Sequence, residues 1–285
     1  MISYFPMRVA WVFAVCLVAG QAAWAQQSGK LYNTAKQKLM EGKKVIGGTV
    51  SSNDPDIYCA MATAGFDFLW IEMQHSPLTY QEAARMIRAC KGAPAVPFIR
   101  VPDATEGDIQ KAMDIGALGI IIPMVESVEK VKAAVKFANY PPIGKRSQGG
   151  GQYGALWGGN YRQTANQNLA IVAMIESPAG VDIADQIAAI EGVDVVFIAS
   201  TDLSSFSGKK QGEPEYEALV TRAKNAILKA GKKVGGPHAW TNRQGYTFFQ
   251  AAGETGLIRT GAQAILGKGA GEMKSGVAPT EGAEK

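Results

Sequence analysis

The sequence has little excess of either sign of charge. Its 285 residues carry 29 Lys and Arg against 25 Asp and Glu, a formal net charge of +4, and the excess is scattered. Neutralising a phosphate backbone takes clustered cations, so nucleic acid is excluded as an expected partner while a small anion is not. Long apolar runs are missing too: beyond residue 25 no segment is apolar enough to cross a bilayer. No Gly-x-Gly-x-x-Gly turn follows the first strand-like run, which argues against a dinucleotide-binding open sheet. The Gly-rich stretch Gly144-Lys145-Arg146-Ser147-Gln148-Gly149-Gly150-Gly151 lacks the residue order of a phosphate loop, and no strand leads straight into it. Cysteine is scarce, with Cys16, Cys59 and Cys90 only.

What is present begins with a leader. Arg8 is the only charge before residue 26, residues 9–20 are apolar, and Ala23-Trp24-Ala25 places small residues where a signal peptidase reads them. Residues 1–25 read as a secretory signal peptide. There is no twin-arginine pair, and Cys16 lacks the small residue before it that a lipoprotein signal would have. The expectation is an exported protein, periplasmic or secreted, with no stable membrane insertion after cleavage. That compartment permits a disulfide between Cys59 and Cys90, which fall on neighbouring predicted helices. The expectation is nevertheless two buried thiols acting as small hydrophobes. Residues 26–42 read as an N-terminal extension, and residues 268–285, rich in Gly, Ala, Lys and Glu, as a flexible tail.

Residues 43–267 alternate β-rich runs with amphipathic stretches. Strand-like runs fall at 45–50, 66–73, 95–101, 118–123, 169–176, 194–199, 232–237 and 255–259. Helices are predicted after Asn53-Asp54-Pro55, at 79–89, 106–115, 128–138, 180–189, 214–230 and 242–252, and after Gly261. A Gly-rich excursion at 141–159 breaks the rhythm. Eight strand-then-helix units in this length predict an α/β fold of the (β/α)8 TIM-barrel type, with an open doubly wound sheet as the rival.

Catalysis in such a barrel sits at the carboxyl ends of the strands. The second run ends Glu72-Met73-Gln74-His75, the third at Arg100, the fifth at Glu176, the sixth at Ser200-Thr201-Asp202 and the seventh at His238. Polar groups straight after apolar strands are costly unless paired or liganded. Glu176 and Asp202 supply two hard oxygen ligands that, with water and substrate oxygens, suit Mg²⁺ or Mn²⁺. Each can instead be an ion-paired or helix-capping carboxylate, and Thr201-Asp202-Leu203-Ser204 is a serious cap candidate. His75 can be a general base oriented by Glu72, although a lone histidine is more often structural. Arg100 can bind an oxyanion, or form a salt bridge with Glu72 or Glu176. Ser200 and Thr201 are candidate substrate contacts, as is Arg146 on the Gly-rich excursion, read as a mobile loop over the site. Tyr153, Trp157 and Tyr161 can anchor that loop by packing. His238 reads as structural.

The constellation resembles the HpcH/HpaI family of class II pyruvate aldolases, the group of 4-hydroxy-2-oxoheptanedioate and 2-dehydro-3-deoxyglucarate aldolases. The resemblance runs over residues 43–266. It is carried by Phe68-Leu69-Trp70-Ile71-Glu72-Met73-Gln74-His75, Val96-Pro97-Phe98-Ile99-Arg100-Val101-Pro102 and Asp114-Ile115-Gly116-Ala117-Leu118-Gly119-Ile120, then by Tyr140-Pro141-Pro142-Ile143-Gly144-Lys145-Arg146, Ile175-Glu176 and Thr201-Asp202-Leu203-Ser204. It implies a phosphoenolpyruvate/pyruvate-type barrel and an aldehyde-lyase acting on a 2-oxo acid such as pyruvate and an aldehyde. It further implies a divalent cation (Mg²⁺ or Mn²⁺, with Co²⁺ or Zn²⁺ as others) on Glu176 and Asp202, Arg100 against the oxygen that becomes an enolate, and His75 as base. Glu72 stands where the family has an aspartate supporting that histidine, and a homo-oligomer, hexamer or trimer, is implied. Gln74, Met174 and Ala199-Ser200 depart from the family pattern. The changes at Met174 and Gln74 motivate an alternative, an exported 2-oxo-acid-binding barrel without turnover. A lyase of acyl-CoA thioesters is a third reading, and no basic cluster for a nucleotide supports it.

Overall fold

The computed structural model describes residues 31–267. The expected signal peptide and tail therefore lie outside the described residues. In chain order the elements are α1 (Thr34–Met40), β1 (Val45–Val50), α2 (Pro55–Thr63), β2 (Phe68–Glu72), α3 (Tyr80–Ala89), β3 (Val96–Arg100), α4 (Glu106–Asp114), β4 (Gly119–Ile122) and α5 (Val128–Ala138). Then come α6 (Tyr153–Trp157), α7 (Tyr161–Asn168), β5 (Ala170–Ile175), α8 (Pro178–Asp182), α9 (Ala184–Ala188), β6 (Val195–Ile198), α10 (Ser200–Ser207) and α11 (Pro214–Lys229). β7 (Lys233–Pro237), a single 3₁₀ turn (His238–Trp240), β8 (Tyr246–Gly253) and α12 (Glu254–Ile265) complete the order. All eight strands run parallel and β8 pairs back onto β1, so the sheet is a closed barrel and the open-sheet rival falls away.

The helix starts follow from local chemistry. Asp54 caps α2 by accepting from the N–H groups of Asp56 and Ile57, with Pro55 at the first helical position. Thr79 and Glu82 form a reciprocal capping box on α3, and Thr105 and Ser127 cap α4 and α5. β2 to β6 are buried along their whole length, as strands covered on both faces should be. The barrel interior is filled by Phe68, Trp70, Phe98, Val172, Met174, Phe197 and Phe248. The Phe68 and Phe248 rings stand 4.6 Å apart, and those of Phe68 and Phe98 4.8 Å. Gly47 and Gly119 make this possible, because a Cβ at either would collide with the ring of Phe68 or Phe98.

Helix α1, inside the segment read as an extension, belongs to the barrel. Ala35 and Leu39 are buried in the same cluster as Phe68 and Phe98. The Asn33 amide donates to the carbonyls of Leu118 (2.9 Å) and Asn168 (2.8 Å), closing the amino end of the strands. The Gly-rich excursion meets it there. An α-to-β connection emerges at the amino end of the strands, opposite the catalytic mouth. Its α6 and α7 are tied down at that end: Trp157 Nε1 donates to the Gly116 carbonyl (3.0 Å) and stacks on Tyr32 (5.6 Å). The reading as a mobile loop over the site is therefore corrected.

Two further expectations change. Residues 242–252 are not a helix and 255–259 not a strand: β8 is Tyr246–Gly253 and α12 begins at Glu254. Phe248 fills the barrel while Phe249 packs outside it, so consecutive aromatics serve two cores and mask the strand period. No α-helix links β7 to β8. Instead Arg243 stacks on Trp240 (4.1 Å), Trp240 meets Tyr246 edge-on (5.5 Å), and Arg243 pairs with Glu217 of α11 (2.7 Å). Cys59 and Cys90 are bridged, not free thiols. The packing of α2 on the end of α3 sets their Cα atoms 5.4 Å apart, inside the range a disulfide spans. Joining positions 31 apart in sequence, this bridge contributes about 2–4 kcal/mol through the unfolded chain. Cys90→Ser should lower the denaturation midpoint accordingly, and reductant should lower it in the parent protein but leave the variant unmoved.

Candidate functional site

The carboxyl ends of β2 and β3 are in register, with Glu72 beside Arg100. Both are buried, at 4 % and 8 % exposure. Glu72 Oε2 accepts from Arg100 Nε (2.5 Å) and Nη2 and from Trp70 Nε1 (3.2 Å). Its Oε1 accepts the backbone N–H groups of Gln74 (2.8 Å) and His75 (3.0 Å). Glu72 therefore holds the backbone beneath His75 rather than its ring, and the side chain of His75 is exposed. Arg100 takes the salt bridge to Glu72 that its position allowed. Clamped along one edge, its guanidinium has Nη1 3.9 Å from Met174 Sδ and lies 5.6 Å from the centroid of the Trp70 ring. Its plane is fixed before any ligand arrives.

Across the mouth Glu176 follows β5 and is 2 % exposed. Its Oε1 accepts the backbone N–H of Met124 (2.7 Å). Burial pushes its carboxyl above the ordinary range, and the facing Asp202 carboxylate pushes the same way, against the Met124 N–H and Arg100. Asp202 stands in the first turn of α10 and caps nothing, since Ala199 is the N-cap and no side chain bonds the free N–H groups. The capping alternative for Asp202 is thereby removed. Ser200 is buried at the start of the same helix, with its carbonyl accepting from the Tyr216 hydroxyl (3.0 Å), and Thr201 is exposed beside it. Glu176, Asp202, Arg100 and Glu72 thus form one electrostatic unit at the carboxyl end of the barrel.

Arg146 does not join them. It is 3 % exposed, pairs with Asp114 at the end of α4 (2.8 Å), donates to the Tyr161 hydroxyl (2.9 Å) and lies 4.5 Å over the Tyr140 ring. Asp114 leads into the amino end of β4, so this cluster sits at the far end of the barrel from Glu176. Arg146 is corrected from a substrate contact to the pin of the amino-end cap. His238, exposed in the 3₁₀ turn after β7, has no partner that gives it a role at the site.

The donor set limits what the site can hold. Among the described residues no group of three or more His, Cys, Asp or Glu side chains gathers. A cation on Glu176 and Asp202 would have two protein oxygens and draw the rest of its shell from water and ligand. Hard ions such as Mg²⁺ and Mn²⁺ accept that, and softer Cys- or His-loving ions do not. The raised carboxyl of Glu176 fits the same reading: a buried carboxylate facing a half-buried one of like charge is relieved by a cation between the two. Sequence reasoning missed Met124, whose role is played by a backbone N–H that no side chain announces.

Known proteins resemble this chain in sequence and in fold. The profile of the HpcH/HpaI aldolase/citrate lyase family matches residues 48–257. The 2-keto-3-deoxy-L-rhamnonate aldolase of Salmonella gallinarum is 34% identical over 210 residues, 72% of this chain and 79% of that one. Among solved structures, an HpcH/HpaI aldolase/citrate lyase family protein from Burkholderia cenocepacia superposes with a TM-score of 0.75 at 30% identity, covering 82% of this chain and 98% of that one. The citrate synthase SbnG does so with a TM-score of 0.72 at 30% identity, over 82% and 96%.

Proposed function

Since the chain belongs to the HpcH/HpaI aldolase/citrate lyase family, we propose that it is a divalent-metal-dependent lyase cleaving or forming the carbon–carbon bond of a 4-hydroxy-2-oxo acid, with pyruvate or a similar 2-oxo acid and an aldehyde as the pieces. A 2-keto-3-deoxy sugar acid, the substrate class named for the Salmonella relative, is the first candidate. The observation that carries the proposal is the buried Glu176 facing the half-buried Asp202, with Arg100 within electrostatic reach. A barrel that binds without turning over gains no support from relatives named as aldolases.

In this reading Glu176 and Asp202 hold Mg²⁺ or Mn²⁺, and the ion supplies Lewis-acid stabilisation of developing negative charge. The remaining work belongs to the chain. His75 takes the proton of the C4 hydroxyl, the C3–C4 bond breaks, and the aldehyde leaves. The electron pair passes into an enolate whose charge gathers on the 2-oxo oxygen. The clamped Arg100 faces that charge without having to reorganise, and protonation at C3 releases the 2-oxo acid. Glu72 keeps both groups in place through the bonds already described, and Ser200 and Thr201 offer free N–H groups of α10 to the substrate carboxylate. The reverse sequence is aldol addition.

The chain is proposed to work outside the cytoplasm. The leader at residues 1–25 and the Cys59–Cys90 bridge both favour an oxidising compartment. Homo-oligomerisation is proposed from α12, where Ile258, Ile265 and Leu266 are exposed. The central test is pyruvate release from 4-hydroxy-2-oxo acids after treatment with EDTA and again after adding Mn²⁺ or Mg²⁺. Release that needs the ion and vanishes in Asp202→Asn is expected; release indifferent to both would refute the proposal.

A further inference from the structure

One backbone position among the described residues adopts a conformation that side chains disfavour. Met124, in the turn after β4, has φ 49°, and no other described non-glycine residue has a positive φ. Such a conformation survives where its surroundings over-determine it. Here the neighbouring turn after β5 does so. The Met124 N–H donates to Glu176 Oε1 (2.7 Å), the Val125 N–H donates to the Met174 carbonyl (3.1 Å), and the Ser177 hydroxyl donates to Glu126 Oε1 (2.5 Å). On the other side Lys130 Nζ donates to the Met124 carbonyl (3.4 Å) and pairs with Asp103 (2.8 Å). The Val125 carbonyl rests on Gly180 of α8, where a Cβ would come within 2.7 Å of it. Rotating Met124 out of the left-handed region reorients its peptide against the chain that follows. The bonds from Met124 to Glu176 and from Val125 to Met174 then cannot both be kept.

We propose that Met124 is a positioning residue for Glu176: its left-handed backbone is held so that its N–H occupies one carboxylate oxygen and leaves the other free for a divalent cation shared with Asp202. This rests on the reading of Glu176 and Asp202 as a cation site. The side chain of Met124 is only half-buried, and the role belongs to its φ rather than to its thioether.

The test separates backbone from side chain. Mn²⁺ alone is titrated calorimetrically into the parent protein, Met124→Gly and Met124→Val. Glycine enters the left-handed region freely and a β-branched residue resists it. The expected order of affinity places Met124→Gly close to the parent and Met124→Val weaker by about tenfold or more, the loss of one hydrogen bond to a charged group. A role in packing predicts the opposite order, because valine keeps much of the apolar bulk and glycine none. That order, or equal affinities, overturns the proposal and leaves the cation site standing. If the parent protein binds no Mn²⁺, the cation reading fails separately, and the metal-free protein decides the rest. Its Met124 amide proton should be protected from exchange and shifted downfield, and should lose both in Glu176→Ala. An amide that exchanges freely in the parent overturns the positioning role as well.

Discussion

Glu176→Gln should abolish lyase turnover and, in the same metal-free protein, raise the thermal midpoint at neutral pH. The first effect follows from removing one of two protein oxygens that would hold the cation. Lewis-acid stabilisation is worth several kcal/mol, and about 1.4 kcal/mol is a factor of ten, so a loss of about a thousandfold or more in kcat is expected. The second effect has the opposite sign for a reason of charge. Burial and the facing Asp202 carboxylate raise the Glu176 carboxyl above its ordinary value of 4.5. An acid whose folded value is raised binds more protons folded than unfolded between the two values, so stability falls as pH rises through that window and the cost is complete above it. Glutamine cannot ionise, yet its amide oxygen can still accept from the Met124 N–H and its NH₂ can donate to Asp202. Calorimetric scans in EDTA should show parent and variant converging below pH 4.5 and the variant melting higher at neutral pH. Saturating Mn²⁺ should raise the parent and leave the variant almost unmoved. A variant that melts lower than the parent in EDTA at neutral pH would show that the carboxylate pair is not a strained one.

The parts legible in the sequence are those where a residue type conflicts with its surroundings. Glu72 and Arg100 end, and Glu176 directly follows, strands buried on both faces, and a charge there is conspicuous because apolar neighbours make it costly. The alternation itself pointed to the barrel, since eight parallel strands joined in sequence need seven crossings, most of them helical. What stayed hidden depended on direction or distance in space. Arg146 is as polar as Arg100, but it follows a helix instead of a strand, and that difference alone sends it to the other end of the barrel. The 31-residue spacing of Cys59 and Cys90 carries no information on whether two helices bring them together. β8 was misread because Ala251 and Ala252 favour a helix in isolation, whereas Phe248 and Phe249 are wanted by two different cores. Met124 had no signal at all, because a left-handed φ is imposed by the bonds around it.

Arg100→Leu is expected to cost both activity and stability, and a second substitution should separate the two. Leucine leaves Glu72 buried at 4 % exposure with its guanidinium partner gone. Breaking a buried ion pair from one side costs about 3–5 kcal/mol because the remaining charge is uncompensated. Activity should fall by at least about a hundredfold, the effect of losing one preorganised donor to a developing oxyanion. Adding Glu72→Leu removes the orphaned carboxylate, so the double variant should regain part of the lost stability. Recovery will be incomplete, since the N–H groups of Gln74 and His75 and the indole N–H of Trp70 lose their acceptor in that variant. Activity should not recover, because nothing replaces the cation that faced the enolate and the backbone under His75 is no longer clamped. Denaturant midpoints and kcat measured across the four proteins of this cycle give a coupling energy for each property. Recovery of stability in the double variant without recovery of kcat is the expected pattern. If kcat returned with stability, Arg100 would be a structural strut of the barrel mouth, and the charge that meets the enolate would have to come from elsewhere.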